Sequence, residues 1–582
     1  VTAFLGVEQS ATGRRWTGPD AEQDRQAERL MQETGLPPAL CQILAARGVP
    51  GAQSAAFLAP SLRDLMPDPS GLRDMDKAAD RLMAAIQNRD RIAIFADYDV
   101  DGGASAALLI DWLRQIGHQA TLYIPDRIVE GYGPNAPAMA ELAAKHDLII
   151  CVDCGTMAFD AIAAAAKADV LVLDHHLGGE TLPAALAVVN PNRQDETSDL
   201  GYLCAAGVVF LLLVAVNRLR RASGATMPDL MALLDLVALA TVADVAPLIG
   251  LNRAFVRQGL KVLASRGRPG LTALGDIARL DGPPDTYHLG FLLGPRINAG
   301  GRIGRADLGA RLLATDDAEE AAALAARLDQ LNTERREIEE QVRLKAMEQA
   351  EARGMDAPLV WAAGEGWHAG IVGIVAARLK EKANRPAVVI GFDGDTGKGS
   401  GRSISGVDLG SAIARLVREG LLESGGGHRM AAGLGLSRGQ LEPAMARLAE
   451  LLDAQGAARG GAADLRLDGA LAVRAASVDL IGELAHAGPF GAGAPAPRFA
   501  LPSVRVTFAK RAGENHLRLA LADAVGGRID AIAFRAFDTA LGPLLSQHDG
   551  AIFHVAGRLE IDRWGGRMKP KLRLEDAAIS QG

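Results

Sequence analysis

Three short apolar runs in this sequence end in side chains able to hold a cation. "RIAIFADYDVDGG" carries Asp97, Asp99 and Asp101 at alternate positions, "DLIICVDCG" ends on Asp153, and "DVLVLDHHLGG" ends on Asp174, His175 and His176. A single carboxylate after a strand is ordinarily a helix cap or a turn residue. Three clusters at one edge of one sheet are different, because so many negative charges together are costly unless cations hold them. Carboxylate with imidazole suits Mn²⁺, Mg²⁺, Fe²⁺ or Zn²⁺ rather than a soft thiolate site. Asp244 in "ATVADVAPL", at the end of an apolar helical run, is a further candidate donor.

Such groups meet only if the strands lie parallel, with their carboxyl ends on one side. "RIAIFADYD", "QATLYIP", "DLIICVD" and "DVLVLDHH" are rich in β-formers, and "GASAALLIDWLRQIG", "APAMAELAAKH" and "MAFDAIAAAAKA" between them have helical length and composition. This alternation predicts a mostly parallel sheet with helices on both faces, and ligand sites in such sheets lie beyond the strands' carboxyl ends. The class is therefore α/β, with a catalytic domain over 91–315 behind a helical adaptor region over 1–90. A charged, proline-free segment over 316–353 predicts one long helix connecting to a second α/β domain over 354–460. Residues 461–582 carry strand-like runs between glycine-rich turns and predict a small barrel of the OB kind.

Composition narrows the class further. At 582 residues the chain has room for several cores, and 49% hydrophobic with 23% charged residues is globular in character. No apolar run reaches the ~18 residues a membrane span needs and no leader is evident, so the expectation is a cytoplasmic protein with no membrane role; a monomer is expected as well. Four cysteines are too few for a disulfide framework, and the one C-x-x-C, Cys151 and Cys154, ends a strand instead of opening a helix. We read it as structural. A net charge of −8 argues against a surface coated by nucleic acid but leaves room for a basic groove.

The ordered set "DYDVDG", "VDCGT", "LDHH" and "VADVAPL" resembles the DHH phosphoesterase superfamily. "LGPRINAGGRIG", "GKGSGRSISGVDL", "ESGGGHRMAAGL" and the terminal barrel narrow the resemblance to the RecJ family of single-strand-specific DNA exonucleases. One departure is "PFGAGAPAP", with Ala494 where that family usually has Asn. The resemblance implies two divalent cations, Mn²⁺ favoured and Mg²⁺ possible. Asp97 and Asp99 would serve one, Asp101, His175 and Asp244 the other, and Asp153 would bridge them. His176 would contact the scissile phosphate while Asp174 orients its neighbours. Arg127, Arg296 and Arg302 would meet phosphate oxygens, as the guanidinium fork suits, with Asn298 beside them. Ser400, Arg402, Ser403 and the stretch Gly425, Gly426, Gly427 and His428 would form the substrate groove. Trp564, Arg567 and Lys569 would face the strand from a hairpin of the barrel.

The implied activity is metal-dependent 5′→3′ degradation of single-stranded DNA to 5′-mononucleotides in repair and recombination, with single-strand-binding protein and a helicase as partners by analogy. Two other readings compete. A phosphodiesterase for short oligoribonucleotides or cyclic dinucleotides would not need the barrel. A non-catalytic DNA-binding scaffold would not need the acidic and histidine clusters.

Overall fold

A computed structural model describes residues 3–126, 130–131, 133–459, 464–563 and 566–580. The chain forms two compact units, one made of residues 67–247 and 258–461, the other of 1–66, 248–257 and 462–582.

The first unit opens with a five-stranded sheet of β1 (Ile92–Ala96), β2 (Ala120–Tyr123), β3 (Leu148–Val152), β4 (Asp169–Leu173) and β5 (Ala187–Val189), in the order β2-β1-β3-β4-β5. Every pairing is parallel. Strands β1 and β3 are buried at every residue, which is why they read as unbroken apolar runs and not as alternating ones. The strand order reverses direction at β1 and β3, and a crevice opens beyond the carboxyl ends at such a point. Asp97 follows β1 and Asp153 follows β3. Helix α1 (Val100–Gln115) leaves this edge, and α2 (Ala205–Ala222) and α3 (Leu234–Ala243) pack against it. None of the described helices is long and apolar enough to cross a membrane.

A π-helical turn, His288–Leu293, runs straight into α4 (Gly294–Ile303). The connecting helix α5 spans Ala318–Arg353, with Asp317 capping its start by accepting from the Glu319 and Glu320 amides. Buried Leu324, Leu328 and Leu331 on its first half and Ala346 and Ala350 on its second give it apolar contacts at both ends. It packs against α4 on one side and against α6 (Ala369–Ala383) on the other, so one rigid rod serves both lobes of this unit. The second lobe holds β6 (Val360–Glu365), β7 (Ala387–Asp393), β8 (Thr396–Arg402), β9 (Ser424–Gly427) and β10 (Ala431–Ser437) in the order β9-β10-β8-β7-β6. Only β6 and β7 pair in parallel, so the mixed sheet leaves the glycine-rich β9 as an exposed edge.

In the other unit, β11 (Gly469–Ala470), β12 (Phe499–Ala512), β13 (His516–Ala522), β14 (Arg528–Ala533), β15 (Ile552–Asp562) and β16 (Lys569–Ile579) pair in the order β11-β12-β13-β14-β16-β15. A further β12–β15 pairing closes the barrel. The region read as one adaptor over 1–90 divides in the structure. Its first 66 residues join the barrel, where buried Trp16 donates from Nε1 to Asp576 at 3.0 Å and Leu40 and Ile43 pack with Leu484 and Phe499. Residues 67–90 join the five-stranded parallel sheet, where Asp74 accepts from Arg193 and from the Val188 amide on β5.

Candidate metal centre and substrate cleft

The acidic edge is built from backbone constraints before it is built from charge. Asp99 caps α1, its Oδ1 accepting from the Asp101 amide at 2.9 Å and the Gly102 amide at 3.2 Å. That fold-back requires glycine at 102, where a β-carbon would collide with the Asp97 backbone carbonyl. The turn thus holds Asp97 and Asp99 in one cluster with Asp153. Asp153 has φ of +59°, a left-handed conformation that costs energy for a residue with a side chain. Strain of this kind persists where the surroundings over-determine it. Here the Asp153 amide is still held by the Leu173 carbonyl of β4 at 3.0 Å.

His175 lies at the middle of the assembly. Its Nε2 is 3.2 Å from Asp153 Oδ1, 3.7 Å from Asp101 Oδ2 and 3.8 Å from Asp244 Oδ2. Three overlapping groups, Asp97 with Asp99 and Asp153, Asp101 with His175 and Asp244, and Asp153 with His175 and His176, each bring ligand atoms within 4.8 Å of one another. Asp101 is buried against the start of α2, where it accepts from the Ala205 and Ala206 amides at 2.7 and 2.8 Å. Burial pushes its carboxyl above the usual range, and Asp99 adds to the push, although His175 and the two amides oppose it. Burial and then the neighbouring carboxylates push Asp153 well above that range, and they push Asp244 up to about 8.

These residues fit a divalent cation on structural grounds. Asp153 Oδ1 is buried and accepts no hydrogen bond, an arrangement that costs free energy unless another positive group faces it. The carboxylates that repel each other here are hard oxygen donors with one imidazole among them, the set expected for Mn²⁺ or Mg²⁺.

Asp174 does something else. Its Oδ1 accepts from the His175 amide at 2.8 Å, the His176 amide at 3.2 Å and His176 Nδ1 at 2.8 Å, while Oδ2 accepts from the Thr156 amide at 3.0 Å. Burial opposes its charge, yet the His176 contact and the Thr156 donors hold it below the usual carboxylate range. His176 feels the reciprocal effect. Burial alone would lower its pKa, but Asp174 raises it to about 9, so the half-buried ring is a cation near neutral pH. Two residues absent from the sequence-based set complete the support. Asn190 Nδ2 donates to the His176 carbonyl at 2.7 Å, and Asn192 Nδ2 donates to the His175 carbonyl at 2.7 Å. They lie in "VVNPNR" directly after β5, at the same sheet edge. That position is the available signal, but amides alone do not suggest metal chemistry.

Beside Asp244 is a cavity of about 160 Å³ whose walls include Ala243, Gly290, Gly294, Asn298, Arg302 and Arg335. Asn298 Oδ1 is buried there without a hydrogen-bond partner. Arg302 donates to the Gly370 carbonyl at 3.0 Å, which ties α4 to the start of α6. Arg335 on α5 is a second cation in this cleft and was not among the sequence candidates. Arg296 was, but the structure does not bring it to the cleft. It donates to Asp329 and to the Leu292 carbonyl, both at 2.8 Å, and braces α4 against α5. Its polar neighbour at i+33 is invisible to local sequence reading.

In the second lobe, Arg402 donates to Ser400 Oγ at 2.8 Å, and both side chains stand over Gly373 on α6. Ser403, expected beside them, faces the other way. It is buried and donates to the Val407 carbonyl at 2.8 Å, because successive residues leaving a strand point to opposite faces. Gly425, Gly426 and Gly427 form the exposed edge strand β9, and the His428 amide donates to the Ala431 carbonyl at 2.8 Å, closing the hairpin. Arg127 and Trp564 lie outside the described residues, while Arg567 and Lys569 are exposed on the barrel. The barrel also presents exposed Phe534, with the Arg573 guanidinium 5.2 Å and the His516 ring 5.3 Å from its ring. Cys151 and Cys154 are buried free thiols, as a structural reading requires.

Comparison with known proteins gives three domain matches. Residues 91–241 match the DHH family, N-terminal domain, residues 356–454 the DHHA1 domain, and residues 467–576 the RecJ OB domain. The chain is 38% identical over 560 residues to the single-stranded-DNA-specific exonuclease RecJ of Dickeya dadantii, covering 93% of this chain and 96% of that one. The crystal structure of RecJ from Thermus thermophilus in complex with Mn²⁺ superposes with a TM-score of 0.81 at 30% identity, covering 97% of this chain and 79% of that one. The corresponding Mg²⁺ complex gives a TM-score of 0.74 at 28% identity with the same coverage.

Proposed function

The chain belongs to the RecJ family of single-stranded-DNA-specific exonucleases, and from that membership we propose that it degrades single strands from the 5′ end to 5′-mononucleotides. It is a metal-dependent phosphodiester hydrolase with single-stranded DNA as its substrate. The observation that carries the reading is His175 Nε2 within 3.8 Å of carboxylates delivered by three separate elements.

In our reading Asp97 and Asp99 would hold one cation, Asp101, His175 and Asp244 would hold the other, and Asp153 would serve both. The cations, when bound, supply an acidified water and a clamp on phosphate oxygens. Everything else falls to the protein's own groups. Asp174 locks the His176 ring through Nδ1, and His176 contacts the scissile phosphate. Asn190 and Asn192 fix the backbone that presents both histidines. Asn298, Arg302 and Arg335 offer a lone acceptor and two guanidinium groups to the strand beside Asp244, and Arg402 with Ser400 offers a second anionic subsite. Gly425 to Gly427 let a sugar–phosphate backbone approach without side chains in the way. On the barrel, Arg567, Lys569, Phe534 and Arg573 track the strand by charge and stacking. We place the enzyme in cytoplasmic DNA repair and recombination as a monomer, with single-strand-binding protein and a helicase as partners.

The test is digestion of 5′- and 3′-labelled single-stranded DNA, duplex DNA and RNA with Mn²⁺, with Mg²⁺ and with chelator. Release of labelled mononucleotide first from 5′-labelled single-stranded DNA, abolished by chelator, is expected. First release from the 3′ label would overturn the polarity, and full activity under chelation would overturn the metal assignment. Asp174→Asn should cut activity about 10- to 100-fold while leaving metal binding largely intact, since it acts by orienting neighbours.

A further inference from the structure

The helix that lines the cleft carries a second feature. Tyr287 and Phe291 are stacked, with ring centroids 5.3 Å apart and planes 22° apart, and are 57% and 72% exposed. Tyr287 and Phe291, directly before and within the π-helical turn, are followed on α4 by Gly294, Pro295, Asn298 and Arg302, which share one helix face. The last four of that series line the cleft. The aromatic pair therefore stands on the segment that leads directly into the cleft wall.

The same segment is anchored by packing. Leu289 and Leu293 are fully buried, and the Asp285 carboxylate accepts from the His288 amide at the start of the turn. A β-carbon at Gly290 would stand 3.3 Å from Val242, and one at Gly294 would stand 3.4 Å from Ala243 and 4.0 Å from Val100. Val100 lies between Asp99 and Asp101, and Ala243 precedes Asp244. The platform is thus seated directly on the segments that deliver three candidate metal ligands. Phe291 sits within the π-turn, a local irregularity that recurs at functional sites.

We propose that Phe291, backed by Tyr287, is a base-stacking platform that positions an unpaired nucleobase beside the catalytic cleft and contributes to selection of single strands. This rests on the exonuclease reading above. An aromatic face is sequence-tolerant because every base has a π surface, and it can be met only by a base whose own face is free. In a duplex both faces of an interior base are already stacked, so the platform rewards single strands. Phe291 touches no reacting atom. It is a positioning residue.

The test measures binding of the full-length protein in Mn²⁺ to single strands protected by phosphorothioate linkages, scanning one abasic site along the strand. Wild type should lose affinity on the order of ten-fold at one or two positions near the engaged end. Phe291→Ala should lose affinity for the intact strand by a similar factor and no longer sense the abasic site there, and Phe291→Trp should restore both. Its preference for single-stranded over duplex DNA should narrow as well. An abasic penalty of the same size and position in wild type and Phe291→Ala overturns the proposal. So does a change in oligomeric state with unaltered strand binding. If wild type digests single strands while the abasic scan shows no coupling, only this inference fails, whereas an inactive wild type would fail the exonuclease reading itself.

Discussion

Asp153 concentrates the chemistry of the site in one residue. Its backbone is left-handed, its carboxyl is buried among carboxylates, and its Oδ1 accepts no hydrogen bond. Such a residue is a liability to the metal-free fold and an asset only when cations are bound. Asp153→Asn, nearly isosteric and neutral, should therefore abolish hydrolysis and yet raise the melting temperature of metal-free protein by roughly 2 °C or more. Saturating Mn²⁺ should stabilise wild type, by about 2.7 kcal/mol at one hundred times the dissociation constant, and the variant much less. A thermal melt with and without Mn²⁺ checks both signs. A metal-free variant less stable than wild type would mean that Asp153 has a structural partner in place of a cation. The division between His175 and His176 is of the same scale. Both rings approach Asp153 Oδ1, at 3.2 and 4.0 Å, but His176 is tied to Asp174 through Nδ1 while His175 reaches Asp101 and Asp244 as well.

At the scale of elements, the turn between β1 and α1 is the critical connection. It must place Asp97, Asp99 and Asp101 within a few residues while starting a helix, and Gly102 makes that possible. Gly102→Ala would press a methyl group into a backbone carbonyl that cannot rotate away. It should cost about 3 kcal/mol and lower metal affinity together with activity, measurable by denaturation and by Mn²⁺ titration. Ser403 and Arg402 give the opposite lesson. They are neighbours in sequence, but Ser403→Ala should cost about 1 kcal/mol of stability with little change in KM, whereas Arg402→Ala should raise KM with little change in stability. The strand pattern "GKGSGRSISG" carried the alternation that separates them, and reading the motif as one block concealed it. The contact of Arg296 could not be read locally for a different reason, since its partner Asp329 is brought near only when α4 packs on α5.

Across the whole molecule, the barrel cannot simply be cut away to test its role. Trp16, Leu40 and Ile43 bury themselves against residues after 462, so removing 462–582 would expose apolar surface and invite aggregation. Surface variants are the better probe. Phe534→Ala with Arg573→Ala should weaken binding of long single strands several-fold, flatten its salt dependence, and leave hydrolysis of a dinucleotide nearly unchanged. Equal losses on long and short substrates would remove the barrel from strand binding. With a net charge of −8 the protein must confine its affinity for phosphate to such local cationic surfaces.

Much of this architecture was legible without coordinates. Unbroken apolar runs in β1, β3 and β4 announced a sheet buried on both faces, and the acidic and histidine clusters after them announced cations, because burial and like charge together leave few other uses. The capped, proline-free run over 316–353 announced α5 to within two residues of where it begins. These features are local, written in periodicity and in residue type at element ends. What only tertiary structure decided is which groups meet. Asn190, Asn192, Arg335 and the Tyr287–Phe291 pair each gain meaning from elements far away in sequence, through hydrogen bonds and packing that no spacing encodes. Local sequence determines which side chain stands at the end of a strand or on the face of a helix, while the packing of one element against another determines what that side chain faces.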